Sequence, residues 1–71
     1  MKVNYYPDSK GAKGRGIVAF LQAHKVRHQL VEAPELRKRI CGGEDLPAIE
    51  VDGRFFVNPN DDALRKILRT G

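Results

Sequence analysis

Val3-Asn4-Tyr5-Tyr6-Pro7-Asp8-Ser9-Lys10-Gly11-Ala12-Lys13-Gly14-Arg15-Gly16-Ile17-Val18-Ala19-Phe20-Leu21 changes character twice. Lys2 to Tyr6 is a short run of β type. Pro7 to Gly11 clusters Pro, Asp, Ser and Gly, the chemistry of a turn. From about Ala12 to Lys25 the period becomes helical, with Ile17, Phe20, Leu21 and His24 at i, i+3, i+4 and i+7. A strand running through a Gly-rich loop into a helix opens an α/β unit, and the rest of the chain continues one.

Val26 to Glu32 is again strand-like, with Leu30-Val31 as its apolar centre. Pro34 suits the first position of a second helix, where its missing N–H would be unpaired anyway. Leu36 and Ile40 form that helix's apolar stripe. Arg37, Lys38 and Arg39 read as a solvated face that complements its C-terminal dipole, and Gly42 suits a left-handed cap. Ala48 to Val51 and Arg54 to Val57 flank Asp52-Gly53, a two-residue hairpin signal. Asn58-Pro59-Asn60-Asp61-Asp62 offers N-cap residues and negative charge to a final helix, whose buried stripe is Leu64, Ile67 and Leu68.

The order is therefore β-α-β-α-β-β-α. Strands joined through a helix should be parallel with a right-handed crossover, and the terminal hairpin antiparallel. A four-stranded mixed sheet needs helices on both faces, here the first and last on one and the second on the other. The expected core includes Val3, Tyr5, Ile17, Phe20, Leu21, Leu30, Leu36, Ile40, Ile49, Val51, Val57, Leu64, Ile67 and Leu68.

Bulk properties narrow the function. The 71 residues make one small domain, and a chain of this size buries only about 60% of its unfolded surface. Cys41 is the single cysteine, so no intramolecular disulfide can form, and His24 and His28 alone do not make a four-ligand zinc site. No run approaches the roughly 18 apolar residues of a membrane span. The expectation is a cytoplasmic protein without a membrane partner. Thirteen basic and nine acidic residues leave a net charge of +4, and the pI is near 9.6. This balance permits attraction to nucleic acid or an anionic partner without requiring it.

The opening stretch resembles a glutaredoxin, which runs strand, Cys-Pro-Tyr-Cys, then a helix carrying Ala-Phe-Leu. Aligned on Ala19-Phe20-Leu21, the two redox cysteines fall on Gly11 and Gly14. Leu46-Pro47, Val51-Asp52-Gly53-Arg54 and Asp61-Asp62 extend the likeness over essentially the whole chain. The N-terminal domain of glutathione transferases is similar too. The resemblance implies a thioredoxin-like fold and a cis bond at Leu46-Pro47. It also implies loss of dithiol chemistry, because glycine cannot attack a disulfide.

The family's glutathione site is altered as well. Asp8 and Glu44, the latter followed by Asp45, stand where its carboxylate-binding residues would be, and Asn58-Pro59 replaces a Gly-Gly pair. Glutathione is disfavoured, and no cofactor is expected. The residues of a vestigial peptide, glutathione or anion site would be Lys10, Gly11, Lys13, Gly14, Arg15, Leu46, Pro47, Asp61 and Asp62. The first five place cations and glycines at a helix N-terminus, a setting that suits anions. The leading expectation is a redox-inactive binding or interaction module for an unknown protein or anionic partner. Its rivals are a glutathione-dependent or monothiol redox protein using Ser9 or Cys41, and phosphate or nucleic-acid binding through the basic loop.

Overall fold

A computed structural model describes residues 1–69. Strand β1 (Val3–Tyr6) leads into helix α1 (Arg15–Ala23), strand β2 (Gln29–Leu30) and helix α2 (Pro34–Ile40). Strands β3 (Ala48–Val51) and β4 (Arg54–Val57) precede helix α3 (Asp61–Ile67). The sheet order is β2-β1-β3-β4, with β1 parallel to β2 and antiparallel to β3, and β3 antiparallel to β4. The chain is thus an α/β domain with a four-stranded mixed sheet and three helices. No helix among the described residues is long and apolar enough to cross a membrane.

Strand alternation sorts the core into two clusters. Val3, Tyr5, Ile49 and Val51 point to one face, where Ile17 and Leu21 of α1 meet Leu64 of α3 and Leu68 just beyond it. Tyr6 and Ala48 point to the other, where Cys41 closes a smaller cluster with Val31, Ala33, Ile40 and Leu46 packed around it. Helices α1 and α3 therefore share one face of the sheet, and α2 covers part of the other.

Local chemistry explains the boundaries. Pro34 starts α2, and Gly42 (φ +65°) ends it while the Gly43 amide donates to the Lys38 carbonyl at 2.8 Å. That bond closes a Schellman motif. Asp52 (φ +51°) and Gly53 (φ +88°) form the hairpin turn, left-handed at both positions as a type I′ turn requires. The Asn60 side chain caps α3 by accepting from the Ala63 amide at 2.8 Å.

Several expectations need correction. Helix α1 begins at Arg15 rather than near Ala12, because the loop amides before it bond elsewhere. Strand β2 keeps only two ladder residues, and Leu30 is 57% exposed at the sheet edge. Leu36 and Val57 are also exposed, so neither joins the core. Helix α2 is rotated by about one residue from the expected stripe, and Ala33, Arg37, Ile40 and Cys41 line its inner side. Arg37 belongs to no solvated face; it is buried. The Leu46–Pro47 bond is trans, the form favoured by about 0.5–1 kcal/mol in X–Pro bonds. In this form the Leu46 carbonyl accepts from Cys41 Sγ at 3.2 Å, and the Pro47 carbonyl accepts from the Asn58 amide at 2.7 Å.

Truncating Leu64 to Ala should cost about 2–5 kcal/mol, a large part of the stability of so small a domain. Leu30→Ala should change it by no more than about 0.5 kcal/mol. Urea unfolding of both variants checks the pair. Equal losses would mean that Leu30 is buried after all.

Candidate functional site

The loop between β1 and α1 is organised by its own carboxylates. Asp8 is only 5% exposed. Its carbonyl accepts from the Gly11 amide at 3.1 Å, closing a turn in which Gly11 takes φ +70°. Its Oδ2 accepts from the Lys13 amide at 3.3 Å. Asp45 approaches from the segment before β3 and accepts from the Ser9 amide at 2.9 Å and from Ser9 Oγ at 2.6 Å. Lys13 Nζ reaches the Asp45 carbonyl at 3.5 Å.

Arg37 joins these pieces from below. It is 8% exposed, and its Nη1 donates to the Pro7 carbonyl at 2.9 Å and lies 3.0 Å from Asp45 Oδ1. One guanidinium therefore ties the end of β1, helix α2 and the approach to β3. The hydrogen bonds from Ser9, followed by the charges of Arg37 and Lys13, hold the Asp45 carboxyl below its ordinary pKa. Burial, with the nearby Asp8 charge, pushes the Tyr5 phenol up.

Both glycines of the loop are structurally required. At Gly11 the left-handed backbone disfavours any side chain. At Gly14 a Cβ would fall 1.5 Å from the Tyr5 hydroxyl oxygen and 2.8 Å from the ring. Tyr5 is buried in the sheet, so the ring has little room to retreat. The space that a cysteine at position 14 would need is filled by a phenol.

The remaining candidate residues separate into different places. Lys10, Lys13 and Arg15 are exposed, whereas the amides of Ser9, Gly11 and Lys13 bond to acceptors within the chain. Lys13 meets Asp61 and Asp62 across a shallow cleft of about 420 Å³ beside Asn58–Asn60. Leu46 and Pro47 do not line that cleft; Leu46 packs against Tyr6, Cys41 and Ala48, and Pro47 is fully buried. Burial pushes the Cys41 thiol up, and Sγ donates to the Leu46 carbonyl. A protonated, buried thiol is a poor nucleophile. Among the described residues no group of three or more His, Cys, Asp or Glu side chains could hold a metal ion.

A second cleft of about 340 Å³ opens between the β1–α1 loop and the β2–α2 connection. Tyr6, Pro7, Val31, Ala33 and Pro34 supply its apolar wall, with Asp8 and Arg37 behind them. Asp8 Oδ1 and Arg37 Nε are buried there without a hydrogen-bond partner among the described residues. Sequence reasoning missed Arg37 as an organising residue. The available signal was its spacing, four residues after Ala33 and three and four before Ile40 and Cys41, all of them apolar. No protein-family model, curated protein or solved structure matches the chain.

Two outcomes follow from this geometry. Gly14→Ala should destabilise the domain, and Tyr5→Phe should recover part of the loss because it removes the oxygen that a new Cβ would strike. Thermal melts of the two single variants and the double variant measure that coupling; strict additivity would show that the two residues do not touch. For Asp45, the depressed carboxyl contributes stability that is present above its unfolded pKa and lost as pH falls through its folded one. Ser9→Ala should move the Asp45 titration upward in carboxyl NMR more than Lys13→Ala does. It should also flatten the acid limb of the stability profile.

Proposed function

We propose that this chain is a glutaredoxin-like domain of the thioredoxin fold that has no dithiol chemistry and serves as a binding module. The observation that carries the reading is the packing of Tyr5 against Gly14. The residue that would resolve a mixed disulfide is replaced by a backbone that a phenol covers. The left-handed Gly11 supports the same reading at the position of the attacking thiol. The strand order β2-β1-β3-β4, with one parallel and two antiparallel pairs, supports the fold.

The alternative thiol chemistry has little support. Cys41 is buried at the C-terminal end of α2, and the Ser9 hydroxyl donates a hydrogen bond to Asp45 with no histidine beside the pair to complete a nucleophile–base–orienter set. The trans Leu46–Pro47 bond and the engaged Leu46 carbonyl also leave no open backbone acceptor there for strand-like pairing with a peptide. The cleft over Tyr6, Val31 and Ala33 is the better surface for a protein segment. Behind its wall, Asp8 Oδ1 seeks a donor and Arg37 Nε an acceptor, the two roles that one peptide unit offers.

Insulin reduction and turnover of a glutathione mixed disulfide should both run at background rates. Cys41→Ser should leave those rates unchanged, and Gly11→Cys with Gly14→Cys should fail to restore activity. A robust rate abolished by Cys41→Ser would overturn the redox-inactive reading. As to binding, a partner retained by the intact domain should be lost with Ala33→Glu.

A further inference from the structure

Four cations from three segments converge on one concave surface at the opposite end of α1 from the Gly-rich loop. Lys25 and Arg27 come from the connection between α1 and β2, Arg65 from α3, and Arg69 from the residues after it. They line a cleft of about 750 Å³ whose wall also carries Phe20 and His24. The two rings stand 4.2 Å apart at 32° to one another. No Asp or Glu lines this cleft. Among the described residues the one ion pair is Arg37–Asp45, so these four charges are not neutralised there.

Helix dipoles explain only part of the cluster. The C-terminal ends of α1 and α3 both favour a nearby cation, but four cations with no Asp or Glu among the described lining residues exceed what two helix ends call for. The backbone at Lys25 adds a separate observation. Helix α1 ends in a Schellman motif, with the Lys25 amide on the Gln22 carbonyl at 3.1 Å and the Val26 amide on the Leu21 carbonyl at 2.8 Å. The left-handed position of that motif is normally glycine, and α2 uses Gly42 there. In α1 it is Lys25, at φ +54°. The chain holds a cation at the rim of the cleft where glycine would fit more easily.

We infer that this cleft binds a nucleotide unit, either free or within a single strand. Arg27, Arg65 and Arg69, with Lys25, hold the phosphate, since guanidinium groups match phosphate oxygens with paired donors. The exposed His24 ring, backed by Phe20, gives the base a surface on which to stack. The cleft volume is in the range of small-molecule sites. This inference does not depend on the redox reading, because no residue of the Gly-rich loop takes part.

The test is an amide chemical-shift titration of the full chain with AMP, inorganic phosphate and a short oligothymidylate, at about 50 mM and about 200 mM salt. AMP or the oligomer should shift the amides of His24–Arg27 and Arg65–Arg69. Arg27→Glu with Arg65→Glu should weaken binding by about tenfold or more, whereas Lys10→Glu with Lys13→Glu should change it by less than about twofold. His24→Ala should weaken AMP and the oligomer but not inorganic phosphate. The replaced side chains are exposed, and unchanged shifts at Leu21 and Ile49 would confirm that each variant folds. Arg27→Gln with Arg65→Gln repeats the test without charge reversal.

Binding of AMP comparable to that of the oligomer identifies a free nucleotide as the ligand. Much tighter oligomer binding, falling by roughly 50-fold between the two salt levels if four phosphates are contacted, identifies a single strand. Three results would each overturn the inference. These are no shifts in the cleft, inorganic phosphate binding as tightly as AMP, and equal losses from the two pairs of charge reversals.

Discussion

A buried guanidinium holds the top of this domain together. Arg37 sits on the inner side of α2 and reaches both the carbonyl that ends β1 and the carboxylate that precedes β3. Such a group is costly to desolvate unless its donors find partners. Those partners come from two separate segments, one of them on the far side of β2, so the charge can be buried only when the helix, the central strand and the loop before β3 are all in place. Asp45 then orders Ser9, and Asp8 orders Lys13, which sets the shape of the loop entering α1.

The same loop is committed to contacts within the chain. Its inward-facing amides are met by the chain's own aspartates, where an exogenous anion would otherwise bind. Tyr5 fills the space under Gly14 that a side chain would occupy. Placing side chains at positions 11 and 14 is therefore more than a matter of two substitutions, because the phenol and the carboxylates are built into the sheet and the loop.

Much of this architecture was legible in the sequence. The Asp52-Gly53 turn, Pro34, Gly42 and the Asn60 cap each act through their own backbone preference, and each stands where the residues indicate. The apolar stripes of α1 and α3 were equally clear, since long-period helices against a sheet leave little freedom in which face is buried. Leu30, Leu36 and Val57 were misread because their burial depends on how far a neighbour extends, and β2 and α2 are short. Arg37 was misread because charge alone suggests solvent, while its environment is set by residues 7 and 45, which periodicity within one helix does not register. The basic cleft was invisible for a related reason. Its cations are spread from Lys25 to Arg69 and meet only when the ends of α1 and α3 pack side by side.

The sheet order imposes a schedule on synthesis. Strand β1 is central and pairs with both β2 and β3, yet it is made before either of them. Its antiparallel neighbour is complete only when Val51 has been added, a delay of roughly 2–10 s at ordinary elongation rates. During that interval Val3, Tyr5 and Tyr6 belong to a strand with no finished sheet to join. The hairpin of β3 and β4 closes locally, but docking β1 against it closes a loop of most of the chain, the slower kind of event. Because β1 alone joins β2 to the β3–β4 hairpin, anything that holds Val3–Tyr6 elsewhere leaves the two parts of the sheet apart.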